Sequence, residues 1–230
     1  MDPQVLKKLN QARGERKAAV VVTDFSDGRN RIVLEGEAVE GALGEAIAAA
    51  LRSGKSAKID LNGRSVFLNA YVPSPRMVVI GAVHISQALV PMADVSGYET
   101  MVIDPRTAFA TEERFGNIRL FADWPEDVLA DKPLDAYTAL VAVTHDPKID
   151  DTPLLGALEA GCFYVGALGS RKTHAKRVQR LIGEGASEEQ LSRIKSPIGL
   201  DIGAASPEEI AVAIMAEVIR SFRARGNEVS

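Results

Sequence analysis

Apolar and polar positions follow two rhythms along the chain. In residues 1–72 the apolar runs are short and separated by turn chemistry. Residues 18–23 are rich in Val, the cluster Ser26-Asp27-Gly28-Arg29-Asn30 has turn composition, and residues 31–34 resume an extended pattern, which together predict a β-hairpin. Residues 41–52 are Ala-rich and place Leu43, Ile47, Ala50 and Leu51 on one helical face. Residues 57–61 and 64–71 then flank Asn62-Gly63, a pair suited to a two-residue turn in which both positions take positive φ. With an opening helix, this predicts a small α+β domain over 1–72. So small a unit buries little surface alone, so docking on its neighbour or on a second copy, as a homodimer, is expected. Pro73-Ser74-Pro75 interrupts helix and ladder alike and marks the expected boundary.

From Arg76 onward, apolar runs of four to six residues alternate with helical segments. The runs cover 77–80, 100–103, 118–121, 139–143 and 163–168. They lack polar alternation, as suits strands covered on both faces of a parallel sheet. Helices are predicted over 85–95, 125–130, 154–160, 172–182, 188–194 and 207–223. The last is signalled by Ser206 as N-cap, Pro207 in the first turn and Glu209 completing a capping box. The predicted fold class is therefore α/β, a Rossmann-like doubly wound parallel sheet over 76–224 preceded by the small α+β domain, with 225–230 a frayed tail.

Charge narrows the partners. Thirty-one acidic residues against 27 Lys and Arg leave a net charge of −4, so no basic field invites nucleic acid. No apolar run approaches the roughly 18–20 residues of a membrane span. The start Met1-Asp2-Pro3-Gln4 lacks a basic-then-apolar signal pattern, so a cytoplasmic location is expected. One cysteine, Cys162, excludes an internal disulfide framework and any zinc site built on several thiolates. Cys162 itself reads as a buried, small apolar residue.

The chemistry concentrates after the strands. Met77 to Ile80 leads into Gly81-Ala82-Val83-His84-Ile85-Ser86, where the three glycine places of a dinucleotide fingerprint hold Gly81, Val83 and Ser86. The branched Val83 stands where a pyrophosphate approaches the backbone, which makes NAD an unlikely ligand. Asp104 ends the next strand, 23 residues after Gly81, where an acid accepts from a ribose hydroxyl. The histidines His84, His145 and His174 each follow a strand, on the side where doubly wound sheets bind ligands. Ligand binding, acid–base work or structural hydrogen bonding are open to His84 and His145. With Asp146 these imidazoles show no spacing diagnostic of a metal. A second turn, with Gly169, Ser170, Arg171 and Lys172 opening a helix, suits an anion. Lys172, Lys176 and Arg180, with Arg177 beside them, form either a solvated basic face or a docking surface. Asp201, bracketed by Gly199 and Gly203, either orients a ligand or caps backbone amides.

In order along the chain, Val79-Ile80-Gly81-Ala82-Val83-His84, Thr144-His145-Asp146, Tyr164-Val165-Gly166-Ala167-Leu168-Gly169-Ser170-Arg171-Lys172, Pro197-Ile198-Gly199-Leu200-Asp201-Ile202-Gly203 and Ser206-Pro207-Glu208-Glu209 resemble the C-terminal domain of the XdhC/CoxI family, the xanthine dehydrogenase accessory proteins. The resemblance implies a maturation factor without turnover of its own. Such a protein binds molybdenum cofactor (molybdopterin or its dinucleotide), assists its sulfuration with a sulfurase, and inserts it into an apo molybdenum hydroxylase. The residues expected to line the cofactor crevice, from their places after the strands, are Gly81, His84, His145, Asp146, Gly169, Ser170, Arg171, Lys172 and Asp201, with Asp104 for a ribose if a nucleotide is present. The chain departs from the family at Val83, where glycine is usual, and at Ala38 in Gly36-Glu37-Ala38-Val39-Glu40, where a cysteine is usual. The family's Gly-Ser-x-Pro-Arg segment is also not evident. A nicotinamide-dependent oxidoreductase with a degenerate fingerprint and a nucleotide-sensing regulatory module are the alternatives.

Overall fold

The structure, a computed structural model, describes residues 1–116 and 118–225. The expected frayed tail lies outside the described residues beyond Arg225. Contacts divide the chain into two compact units, Ser74–Phe222 and Met1–Pro73 together with Arg223, Ala224 and Arg225.

The first unit runs α1 (Pro3–Gly14), β1 (Ala19–Asp24), β2 (Asn30–Leu34), α2 (Gly41–Ser53), β3 (Ala57–Leu61) and β4 (Arg64–Tyr71). Its four strands form an antiparallel sheet in the order β2-β1-β4-β3. The period-two alternation of β1 divides its side chains between the faces. Val20 and Val22 pack with Ile47 and Ala50 of α2, while Ala19 and Val21 pack with Val5, Leu9 and Ala12 of α1. Asn62 and Gly63 both take positive φ, 53° and 82°, closing the β3–β4 hairpin with Leu61 opposite Arg64.

The second unit runs β5 (Arg76–Ile80), α3 (His84–Val95), β6 (Glu99–Ile103), α4 (Glu112–Phe115), β7 (Arg119–Phe121), α5 (Pro125–Asp131), β8 (Thr138–Ala142), α6 (Pro147–Glu159), β9 (Tyr164–Ala167), α7 (Arg171–Gly183), α8 (Glu188–Ser192), β10 (Ile194–Lys195) and α9 (Pro207–Ala224). Its strands pair in parallel in the order β10-β9-β8-β5-β6-β7. Strand order therefore reverses between β5 and β8, which places the crevice of a doubly wound sheet at their carboxyl ends. One face packs under α3 and α9, with Leu89, Val90, Ile214 and Val218 against Val79 and Val141. The other packs under α5 to α8, with Val128, Leu154, Leu158, Leu181 and Leu191 against Val78, Leu140 and Val165. Among the described residues no helix is long and apolar enough to cross a membrane.

Two helix boundaries and two short elements differ from the pattern-based reading. Helix α6 starts at Pro147 rather than residue 154, because Asp146 caps it and Pro147 fits its first turn. Helix α8 stops at Ser192, and Ile194 instead joins the sheet beside Val165. The short elements α4 and β10 were not foreseen.

Helix α9 is locked onto the sheet by one buried carboxylate. Glu217 Oε2 accepts from the Tyr164 hydroxyl at 2.8 Å and from the Gly199 amide at 2.9 Å, while Arg220 reaches Oε1 at 3.2 Å. Burial, and then Glu217 itself, push the Tyr164 hydroxyl well above its ordinary pKa, so it stays a donor. Gly199 has φ +88°, and a Cβ there would lie 2.9 Å from the Ala213 carbonyl carbon. The segment between β10 and α9 can therefore lie directly on the helix backbone only with glycine at this position.

Candidate functional site

The turn from β5 into α3 lies at the carboxyl edge of the parallel sheet, where strand order reverses. Gly81 takes φ +116°, its amide donates to the Ile103 carbonyl at 2.8 Å, and an added Cβ would sit 2.8 Å from Thr144 Cγ2. The turn is thus wedged between the ends of β6 and β8. Ser86, fully buried at the third fingerprint position, donates its hydroxyl to the Gly81 carbonyl and so holds the turn to the first coil of α3. Val83 sits at the N-cap of α3, half-buried against the α3–α9 core, and gives no side-chain cap. His84 is exposed in the next position. Glu208, at the start of α9, has its carboxyl held below its ordinary range by its own amide and by Ser206, with a smaller contribution from His84.

Asp104 has the position expected of a ribose acceptor, yet its oxygens are already engaged. It is fully buried and accepts from the Ala82 amide at 2.8 Å, the Arg106 amide at 3.0 Å, Arg106 Nε at 2.9 Å and Arg106 Nη2 at 2.7 Å. Burial pulls its pKa upward, but the Arg106 guanidinium and the two amides outweigh it and hold the carboxyl below the ordinary range. Asp104 therefore acts as a latch joining the turn after β5 to the turn after β6. Arg106 also lies 4.5 Å over the Phe109 ring, and Asp104 first, then Asp146 and Asp150, stabilise its charge. Arg114 ties α4 to the same turn, donating to the Ala82 carbonyl at 3.0 Å and to Gln87 Oε1 at 3.1 Å.

After β8, Thr144 organises the segment that turns into α6. Its Oγ1 accepts from the Asp146 amide at 3.0 Å and donates to Asp150 Oδ1 at 2.7 Å. His145 is exposed and takes φ +66°, the left-handed region, which turns it outward between two anchored residues. Asp146 caps α6, its side chain accepting from the Lys148 amide at 3.0 Å. Asp150, one turn further, is buried with Oδ2 lacking a hydrogen-bond partner. Burial raises its pKa to about 6 against the lowering pull of Thr144 and Arg177.

After β9, Gly169 takes φ +136° and Ser170 caps α7, accepting from the Thr173 amide at 3.2 Å. Arg171 and Lys172 are exposed in the first turn. Arg177, two turns in, is buried to 2% exposure; its Nη2 donates to the Leu168 carbonyl at 3.0 Å, and its Nε and Nη1 have no partner. A cavity of about 230 Å³ between α6 and α7 is lined by His145, Asp150, Lys172, Lys176, Arg177 and Arg180 among others.

The structure thus brings His145 and Lys172 to one cavity and joins Gly81 to Asp104 through Ala82. Asp146 and Ser170 are occupied as helix caps. Asp201 is exposed and makes no hydrogen bond or ion pair among the described residues, so it does not cap backbone amides there. His174 is half-buried on α7 away from the cavity lining, with Nδ1 unpartnered; burial and then Arg177 depress its pKa. Cys162 is fully buried just before β9, where burial pushes its thiol up to about 12. Among the described residues no group of three His, Cys, Asp or Glu side chains is placed to hold a metal ion. The sequence reading missed Asp150, Arg106 and Arg114, and left Arg177 as a neighbour of a basic stripe. The available signal for Asp150 was its place four residues after the cap Asp146, on the same side of a helix that starts with Asp-Pro.

Residues 77–218 match the XdhC Rossmann domain. The chain is 32% identical over 158 residues to a protein of Bacillus subtilis (strain 168) named as a probable xanthine dehydrogenase subunit, covering 68% of this chain and 46% of that protein. It is 30% identical over 159 residues to "Molybdenum cofactor insertion chaperone PaoD" of Escherichia coli (strain K12), covering 69% of this chain and 43% of that one. The chain thus spans less than half the length of these curated relatives. A crystal structure described as a xanthine dehydrogenase from Bacillus halodurans superposes with a TM-score of 0.64 at 27% identity, covering 99% of this chain and 66% of that one. With its Rossmann unit matched almost from end to end, the chain belongs to the XdhC family.

Proposed function

We propose that the chain is a maturation factor for a molybdenum hydroxylase. In this reading it binds molybdenum cofactor at the carboxyl edge of the parallel sheet, keeps it while a sulfurase supplies the terminal sulfur, and passes it to the apo-enzyme. The name of the E. coli relative, a molybdenum cofactor insertion chaperone, supports the class of cargo.

The observation that carries the reading is the state of the helix starts around the strand-order reversal. Helices α6 and α7 have their first turns capped by Asp146 and Ser170, whereas α3, directly at the reversal, has no side-chain cap. An uncapped first turn offers backbone amides and the positive end of the helix dipole to an anionic group. His84 stands exposed in that first turn, His145 is exposed in the turn after β8, and both supply further hydrogen-bond donors. The cofactor carries a phosphate or a diphosphate, and Arg171 and Lys172 add charge for it. These residues bind and orient; the molybdenum chemistry belongs to the cargo and to the client enzyme.

The test is parallel calorimetric titration of the purified chain with molybdenum cofactor, NAD(H) and adenine nucleotides, followed by transfer of the bound cofactor to an apo-hydroxylase. Cofactor binding followed by recovery of hydroxylase activity is expected. Tight NAD(H) binding with none for the cofactor overturns the reading.

A further inference from the structure

The cavity between α6 and α7 is built around a guanidinium with unused donors. Arg177 is 2% exposed, yet Nε and Nη1 are without hydrogen-bond partners, and among the described residues no carboxylate lies within ion-pair distance of it. Unpaired buried donors are costly, and native proteins retain few of them without a use. The neighbouring walls add to the same charge. Lys172 and Lys176 line the cavity, one helical turn apart on α7, with no ion-pair partner among the described residues, while Arg180 is held by Asp151 at 2.8 Å. His145 lines the mouth from the turn after β8.

Two carboxylates of the lining oppose an anion: Asp151, which the Arg180 guanidinium holds at 2.8 and 3.2 Å, and Asp150, whose Oδ2 is unpartnered. In the empty cavity Asp150 is ionised above about pH 6, and an anion bound beside it favours uptake of a proton on Oδ2, which then donates while Oδ1 still accepts from Thr144. The three unpartnered buried atoms of the lining, Arg177 Nε, Arg177 Nη1 and Asp150 Oδ2, then all donate. At about 230 Å³ the space holds several water volumes of ~30 Å³ each, enough for a phosphoryl group and its neighbour.

We propose that this cavity is a binding site for a phosphate or diphosphate ester, with the Arg177 guanidinium as its buried anchor and Lys172 and Lys176 as its outer clamps. Arginine presents a planar fork matched to two phosphate oxygens, and the two lysines act as adjustable point charges. The Leu168 carbonyl fixes the orientation of the fork from below. That the ester is the phosphate end of the molybdenum cofactor rests on the reading given under Proposed function.

Titration of the full chain with sodium pyrophosphate at pH 8, with ionic strength held constant by chloride, tests the site directly. The paired change Lys172→Ala/Lys176→Ala alters exposed side chains only and is expected to weaken pyrophosphate binding by about tenfold or more, the size of a lost charge-assisted contact. Asp150→Asn removes one of the two opposing charges, leaves a donor in its place, and is expected to tighten binding severalfold. Absence of pyrophosphate binding, or equal affinity in all three proteins, overturns the site. Competition with molybdenum cofactor separates the two readings. A chain that binds pyrophosphate but no cofactor keeps the site and loses the maturation reading, and one that binds cofactor but no pyrophosphate does the reverse.

Discussion

Asp150→Asn is expected to stabilise the protein near neutral pH and to do much less in weak acid. The wild-type carboxyl is raised from 3.8 to about 6 in the folded chain, chiefly by burial, with Thr144 and Arg177 pulling the other way. Between those values the folded chain keeps a proton that the unfolded chain has already lost. Its contribution is therefore fully present below 3.8, declines as pH rises, and is gone above about 6. At roughly 1.4 kcal/mol for each tenfold difference in proton affinity, ionised Asp150 costs about 3 kcal/mol at pH 7.5 and about 1 kcal/mol at pH 4.5. The asparagine mimics the protonated acid and keeps Oδ1 as acceptor for Thr144, 2.7 Å away in the wild type. Urea unfolding of both proteins at the two pH values, extrapolated to water, measures the difference. The variant's advantage should grow by about 2 kcal/mol from pH 4.5 to pH 7.5. An advantage that does not change with pH, or a variant less stable than wild type at pH 7.5, would refute the assignment of the raised acid to Asp150.

Three further outcomes are expected. The Cys162 thiol, buried and pushed up to about 12, should resist an aromatic disulfide reagent in the folded protein and release one equivalent per chain after unfolding; fast reaction in the native state contradicts the burial. Gly81→Ala places a methyl 2.8 Å from Thr144 Cγ2 at φ +116° and should cost about 2 kcal/mol or more in urea unfolding. Gly97→Ala, at φ +83° with open space around its Cβ position, should cost only about 1 kcal/mol, and equal losses at both glycines would show that the Thr144 contact is immaterial. Glu217→Ala strips the acceptor from the Tyr164 hydroxyl and the Gly199 amide and should cost about 2–4 kcal/mol, with Glu217→Gln recovering part of it; a loss under about 0.5 kcal/mol would mean the clamp is not what holds α9.

Strands β5, β6, β8 and β9 were legible because a parallel strand covered on both faces needs uninterrupted apolar residues, and few other contexts do. Elements α4 and β10, with four and two residues, are too short for any periodicity to register. The first turns of α6 were hidden because Asp150, Asp151 and Pro153 break the apolar stripe, although Asp146-Pro147 was readable as a helix start. At the site, the turn at Gly81 and the placement of His84 and His145 after strands followed from spacing. The engagement of Asp104 did not, since nothing in the spacing shows that Arg106, two residues later, folds back onto it. Arg177 was obscured for a related reason. In Lys172, Lys176, Arg177 and Arg180 four cations look alike, and only the packing of α6 beside α7 removes one of them from water.

The clamp at Glu217 has a consequence for synthesis on the ribosome. The face of the sheet beneath α3 is completed by Ala211, Ile214, Met215 and Val218, which are translated after all of its strands. At about 5–20 residues per second, the roughly 140 residues separating β5 from Val218 take on the order of ten to thirty seconds to appear. During that interval Val79 and Val141 have no covering from α9, and the nascent chain carries an apolar surface that its own final helix is meant to hide. A chain stopped before Pro207 would keep that surface permanently and should yield an aggregating product.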